Sequence, residues 1–188
     1  AKLFKLQVSD DKATWKDAFY GKVEGAADNG NTVNYTVVFP EATGRYFRIL
    51  FEETAGDASG AQTQPAVFDM SIYDKPGSAV TSPEIECIAE KPTELAHGLN
   101  IGAYSASSDN GGDQTADKAF DEHDWTPWQA AGGAQINAPQ WLMVDFGSSK
   151  TVSRVDLSQY NNRAKLFKLQ VSDDKATWKD AFYGKVEG

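Results

Sequence analysis

Apolar and polar residues alternate along short segments of this chain, and this pattern predicts β-strands. In GRYFRILFEE (44–53), Phe47, Ile49 and Phe51 occupy every second position, so the two faces of the predicted strand differ in chemistry. Similar segments, rich in β-branched and aromatic residues and bounded by Gly, Pro, Asp or Asn, are 34–40, 66–74, 141–147, 151–160 and 165–174. The strands do not alternate with ten-residue helical patterns, which favours an antiparallel β-sandwich over a parallel α/β sheet.

One segment of 25 residues occurs twice, letter for letter. AKLFKLQVSDDKATWKDAFYGKVEG occupies residues 1–25 and returns as residues 164–188, so the period is 163 residues and 26–188 holds one full period. Two interpretations stay open. The chain is a window cut from a tandem array of near-identical domains, or it is a circularly permuted unit with an overlapping end.

Residues 76–92 are predicted to be a linker, because they hold three of the seven prolines and show no core-like periodicity. The chain then divides into residues 1–75, the C-terminal part of one repeat, the linker, and residues 93–188, the N-terminal part of the next repeat. The single cysteine, Cys87, lies in the linker, so no disulfide can form within one period.

The charge of the chain narrows the range of partners. One copy of the repeated segment carries five lysines and four acidic residues, so one period has 13 basic and 23 acidic residues, a net charge of −10. Nucleic acids and anionic membranes are bound mainly through Lys and Arg, so neither partner is expected. The chain is 40% hydrophobic, as in a soluble globular protein, and no apolar run has the roughly 18–20 residues of a membrane span.

Three motifs follow one another within residues 115–147, TADKAFDEHDWTPWQAAGGAQINAPQWLMVDFG. They are Ala-Phe-Asp at 119–121, Thr-Pro-Trp at 126–128 and Trp-Leu-Met-Val-Asp-Phe-Gly at 141–147. With these motifs the sequence resembles the discoidin, or coagulation factor type C (F5/8 type C), family, which overlaps carbohydrate-binding module family 32. The similarity continues through VSDDKATWKD at 171–180, GRYFRI at 44–49 and AVFDMSIYD at 66–74.

The resemblance implies a fold: an eight-stranded antiparallel jelly-roll β-sandwich, often called galactose-binding-like. The family's beginning lies at residues 93–163 and its end at residues 26–75. The resemblance therefore spans the whole period only if residues 93–188 are followed by a segment like residues 26–75. The family unit is thus cut across the 163-residue repeat.

The stretch KAFDEHDWT (118–126) looks like the family's calcium loop. Ca²⁺ takes six to eight hard oxygen ligands, and a tight loop can offer carbonyls and carboxylates together. By resemblance, the ligands are the Lys118 carbonyl, the Asp121 carboxylate, the His123 carbonyl, the Thr126 carbonyl and hydroxyl, and Asp69 from the last strand. The ion is expected to be structural. A metal-free loop held by hydrogen bonds is the alternative.

Carbohydrate binding needs a flat aromatic ring and forked polar groups that contact hydroxyls. The family often places sugar-contacting Arg and Asn in the loop QYNNRAK (159–165). The candidates implied by the resemblance are Tyr160, Asn161, Asn162, Arg163 and, as a stacking platform, Trp125. An ordinary polar loop is the alternative.

Catalysis is not expected. His123 and Asp124 are adjacent, but no nucleophile motif accompanies them, and the other histidine, His97, lies near the linker. The expected function is a structural or adhesive repeat of an extracellular tandem-repeat surface protein or fibre, with neighbouring copies of the repeat as partners, tandem or domain-swapped. The alternative is a calcium-stabilised carbohydrate-binding module that acts by avidity, with glycans as partners.

Overall fold

The computed structural model describes the backbone of residues 2–8, 16–26, 32–55, 61–75, 91–161 and 163–186, and the side chains of residues 32–55, 61–75, 91–161 and 163–184. Most of the predicted linker, with Cys87, and the candidate sugar contact Asn162 lie outside the described residues. No helix within these ranges is long and apolar enough to cross a bilayer.

The described residues form strands and two short 3-10 helices, Ile101–Ala103 and Ala116–Phe120. The strands are β1 (Lys2–Val8), β2 (Lys16–Ala26), β3 (Thr32–Thr54), β4 (Ala66–Tyr73), β5 (Tyr104–Ala106), β6 (Trp128–Gln129), β7 (Gln140–Tyr160), β8 (Ala164–Ser172) and β9 (Lys179–Val186). Every pairing between them is antiparallel, which confirms the predicted all-β antiparallel class. The eight-stranded jelly-roll arrangement stays a prediction.

Two long strands, β3 and β7, pair with each other along most of their length, from Thr32↔Tyr160 to Phe51↔Gln140. Each joins two of the strands predicted separately from the sequence. The register is interrupted between Val38 and Ala42 and again after Gly44. Register interruptions of this kind bend a strand, so the halves on either side can turn towards each other.

The two halves of the β3–β7 pair contribute to different layers around one core. Phe39 and Phe47, which flank the interruption in β3, stack with their ring centroids 6.4 Å apart. On one side, β4 and β6 extend the layer; on the other, β8 and β9 do. Trp128 of β6 is fully buried and stacks on Phe51 from the second half of β3, at 6.0 Å. Stacking between the layers indicates that they pack face to face, as in a sandwich.

Strands from both predicted parts of the chain lie in one sheet. β3 and β4 come from residues 1–75 and pair with β7 and β8 from residues 93–188. A closed, permuted unit requires this pairing, but an excised window of an array would pair in the same way. The division into two repeats therefore stays a prediction.

Close approach of β3 to β8 explains the glycine at position 44. A Cβ atom there would lie 2.9 Å from the backbone nitrogen of Ser172 and 2.9 Å from the Cβ of Val171. We expect Gly44→Ala to force the two strands apart and to lower the free energy of unfolding by about 1–3 kcal/mol. Gly102→Ala is the matched control, because a Cβ there meets nothing within 4 Å. Equal denaturant midpoints for the two variants would contradict the prediction.

Candidate functional site

The predicted calcium loop follows the second 3-10 helix directly. Asp121 caps that helix, and its Oδ1 accepts a hydrogen bond from the His123 backbone N–H at 3.1 Å. The Asp121 Oδ2 lies 3.5 Å from the Lys118 ammonium. Glu122, between them, has a φ of 61°, which turns the backbone sharply. The loop is thus held by the protein's own donors and charges.

The second expected calcium carboxylate, Asp69, belongs to a different group of charges. Its Oδ1 lies 3.1 Å from Nε2 of His97, and its Oδ2 accepts a hydrogen bond from the Ser71 hydroxyl at 3.0 Å. The other ring nitrogen of His97 lies 3.4 Å from Glu122 and 3.8 Å from Glu94. We call these four residues, Asp69, Glu94, His97 and Glu122, the His97 cluster.

Glu94 positions the His97 cluster through backbone contacts. Its Oε1 accepts hydrogen bonds from the N–H groups of Ile72 on β4 and of Ala96, and its Oε2 accepts one from His97. These bonds fix the segment 94–97 against β4. The His97 side chain is 14% exposed, so its contacts with the partly buried Asp69 and Glu94 are largely screened from water, whereas Glu122 is 76% exposed.

The electrostatics of the cluster favour a charged imidazole. Burial alone would lower the pKa of His97, but the hydrogen bond with Asp69 and the negative charges of Asp69, Glu94 and Glu122 outweigh burial and raise the pKa to about 9. At neutral pH, His97 is therefore a cation held between three acidic side chains.

A calcium ion does not fit the donor set as these side chains lie. Asp69 contacts His97 and Asp121 contacts Lys118, so both expected carboxylates already face nitrogen groups of the protein. Among the described residues, no group of three or more His, Cys, Asp or Glu side chains is arranged to hold a metal. Calcium binding through Lys118, Asp121, His123, Thr126 and Asp69 stays a prediction, and it requires both carboxylates to leave their present partners.

Three of the predicted sugar contacts lie together after β7. The Arg163 guanidinium lies over the Tyr160 ring, 4.6 Å from its centroid, and its Nη1 donates to the Gln64 carbonyl at 2.9 Å. Tyr160 packs edge-on against Phe68 at 6.0 Å. Asn161 is exposed, with a φ of 53°. The planar face and one donor of the Arg163 guanidinium are therefore already engaged in contacts within the protein.

Trp125, the proposed stacking platform, precedes β6. It is 70% exposed and its ring is 4.4 Å from the His123 ring. Val67 pairs with both Trp128 and Gln159, so β6, which follows Trp125, and β7, which leads to Arg163, lie on the two sides of β4. The use of Trp125 as a stacking platform stays a prediction.

A polar cleft on the outer face of β3, β7 and β4 was not anticipated from the sequence. It has a volume of about 280 Å³ and is lined by Asn34, Tyr35, Thr36, Asp69, Arg154, Asp156, Leu157 and Ser158. Across its floor, Arg154 Nε donates to Asp156 at 3.0 Å, and its guanidinium lies over the Tyr73 ring. Asn34 and Thr36 flank the core residue Tyr35, and Arg154, Asp156 and Ser158 alternate with the core residues Val155 and Leu157, which places these polar side chains on the face opposite the core.

The sequence analysis also missed the role of His97, which it placed near the linker. No local pattern connects His97 with Asp69, because 28 positions separate them and only strand packing brings them together. The one local signal is the Glu-x-x-His spacing of Glu94 and His97.

Comparison with known families agrees with the motifs. The model of the F5/8 type C domain matches residues 103–188, which span β5 to β9. The resemblance stated from the motifs is therefore confirmed over that segment. The strands β3 and β4 lie outside the match but pair directly with β7 and β8. No curated protein and no solved structure matches the chain.

Proposed function

We propose that this chain, whose residues 103–188 match the F5/8 type C domain, is a structural and adhesive repeat of an extracellular tandem-repeat surface protein or fibre. Domains of this kind bind carbohydrates or lipids, act in adhesion, and are typically extracellular and non-enzymatic. The identical segments 1–25 and 164–188 are the observation that carries the proposal, because uniform repeats build uniformly spaced fibres.

The described geometry supports a structural function over a glycan site. Arg163, the strongest predicted sugar contact, is bonded to Gln64 and stacked on Tyr160. Trp125 contacts the His123 ring. A binding site for sugars needs an aromatic ring and forked donors that are free to contact the sugar, and the contacts of Arg163 within the protein already occupy part of its guanidinium.

The shape of a short array tests the structural proposal. Three consecutive 163-residue periods, expressed as one chain, should appear in electron micrographs as beads at one constant spacing. The expected partners are neighbouring copies of the same repeat. Beads at variable spacing, as a flexible linker would give, would contradict a spacer function.

A second candidate function is a carbohydrate-binding module that acts by avidity. The clustering of Tyr160, Asn161 and Arg163, and the polar cleft on the outer face, favour it. A glycan array probed with the full chain, in calcium and again in chelator, separates the two functions. Binding that disappears in Arg163→Ala while the variant remains folded would establish the glycan site, and silence from the folded chain supports the structural repeat.

Arg163→Ala is expected to act on stability in either case. The substitution removes the hydrogen bond to the Gln64 carbonyl and the contact with the Tyr160 ring, so we expect the free energy of unfolding to fall by about 1–2 kcal/mol. Chemical denaturation measures the loss. An unchanged midpoint would show that the guanidinium is free to serve a ligand instead.

A further inference from the structure

The described strands of the repeated segment pair in the same register in both copies. In the second copy, β8 pairs with β9 through Leu166↔Lys185, Leu169↔Phe182 and Val171↔Lys179, with a register shift after Leu169. In the first copy, β1 pairs with β2 through Leu3↔Lys22, Leu6↔Phe19 and Val8↔Lys16, with the same shift after Leu6. Each of these three pairs of the first copy is the second-copy pair moved by one period. We call the two elements the N-terminal hairpin (1–25) and the C-terminal hairpin (164–188).

The C-terminal hairpin fills a position in the sandwich beside β3. β8 pairs with β3 from Tyr46↔Ser172 to Thr54↔Ala164. Its inward side chains complete the core, with Leu169 fully buried and the Phe167 ring tilted against the Phe182 ring, their centroids 5.8 Å apart.

Polar contacts at this position are equally specific. Arg48 of β3 donates from Nε to Gln170 at 2.8 Å, and its guanidinium lies 3.8 Å from the centroid of the Trp178 ring. The Arg45 backbone N–H donates to Asp173 at 2.9 Å. Every hairpin residue in these contacts has an identical counterpart in the N-terminal hairpin, so the side chains of either copy can make them.

The N-terminal hairpin lies between β9 and the beginning of β3 in the same sheet. In the described residues, it joins β9 through Leu6↔Val186 and Gln7↔Lys185 and joins β3 through Glu24↔Asn34 and Ala26↔Val33. Its pairing with the rest of the sheet is therefore shorter than that of the C-terminal hairpin with β3. The part of β3 that pairs with β8 could thus pair with either of two hairpins of identical sequence in this chain.

The connection to β3 is long enough for an exchange. If the N-terminal hairpin occupied the position of the C-terminal one, Val23 would stand where Val186 stands, and residues 24–31 would lead to Thr32. Eight residues span up to about 26–29 Å. Thr32 pairs with Tyr160, the last residue of β7. Only three residues separate Tyr160 from Ala164, where the C-terminal hairpin begins.

We propose that the surface of β3 that receives the C-terminal hairpin is a docking surface for either hairpin of the same chain, so that residues 1–25 can replace residues 164–188 there. The tether makes the replacement intramolecular, at an effective concentration in the millimolar range. Closing a connection of three residues costs less entropy than closing one of eight. The C-terminal hairpin is therefore expected to occupy the surface about four times as often as the N-terminal one.

Matched substitutions in the full-length chain test the exchange. Leu169→Asp puts a charge into the core, and Leu6→Asp makes the same change at the equivalent position of the other copy. We expect each single variant to keep a cooperative unfolding transition and the double variant to lose it, because only the double variant lacks an intact hairpin. Loss of the transition in Leu169→Asp alone would overturn the proposal.

The mass of Leu169→Asp in solution identifies the source of the replacing hairpin. A folded monomer in sedimentation supports replacement within one chain. A folded dimer would overturn the intramolecular exchange, because the hairpin would then come from a second copy.

A second readout follows the tryptophan beside Arg48. With 5-fluorotryptophan incorporated, Trp15→Phe and Trp178→Phe assign the two ¹⁹F resonances. In Leu169→Asp, the Trp15 resonance is expected to move to the shift that Trp178 has in the unsubstituted chain. A Trp15 resonance that stays in place while the chain remains folded would overturn the proposal.

Discussion

Trp128→Ala is expected to lower the free energy of unfolding by about 3–5 kcal/mol. Trp128 is fully buried, stacks on Phe51 of the opposite layer at 6.0 Å, and donates its indole N–H to the Ser108 carbonyl at 3.1 Å. Truncation therefore removes a large apolar contact between the layers, leaves a cavity, and removes the indole donor from the partly buried Ser108 carbonyl. Thermal or chemical denaturation measures the loss.

Trp125→Ala is the matched control, three positions away in the same segment. Its side chain is 70% exposed, so we expect the stability to change by no more than about 0.5 kcal/mol. If both variants lost several kcal/mol, Trp125 would be part of the packing and not a surface ring. If neither did, the two layers would not meet at Trp128.

The sequence predicted the strands well because burial on one face leaves a two-residue period that is visible locally. Phe47, Ile49 and Phe51 are each fully buried, as their alternation indicated. The same reasoning separated 34–40 from 44–53, whereas the structure joins them in β3. Pro40 and Gly44 signal a break in the pattern, and the chain absorbs that break as a bend within one strand.

The candidate site could be predicted only where its residues are close in sequence. The loop 159–165 places Tyr160 beside Arg163 because three positions separate them. The His97 cluster joins segments that are far apart, so neither composition nor spacing could reveal it. The same limit applies to the docking surface beside β3: sequence identity shows two equal hairpins, but only the pairing shows that the C-terminal one lies beside residues 46–54 of β3.

Raising the pH above neutrality is expected to destabilise the fold through His97. Its pKa is about 9 in the folded chain, against an ordinary value of 6.5, so the folded state binds the proton more tightly than the unfolded state does. The resulting stabilisation is fully present below about pH 6.5. It is lost as the pH rises from there through about 9, and the full loss is on the order of 3 kcal/mol.

The pH dependence of the unfolding free energy, measured between pH 6 and 10 in the presence of chelator, tests this linkage. His97→Gln should remove most of the slope and should lower stability at pH 6, because Asp69, Glu94 and Glu122 would lose the cation between them. His123→Gln is the control, since it removes the chain's other histidine and leaves the His97 cluster intact. A slope that survives in His97→Gln but vanishes in His123→Gln would contradict the prediction, because the titrating group would then be His123, in the loop after the second 3-10 helix.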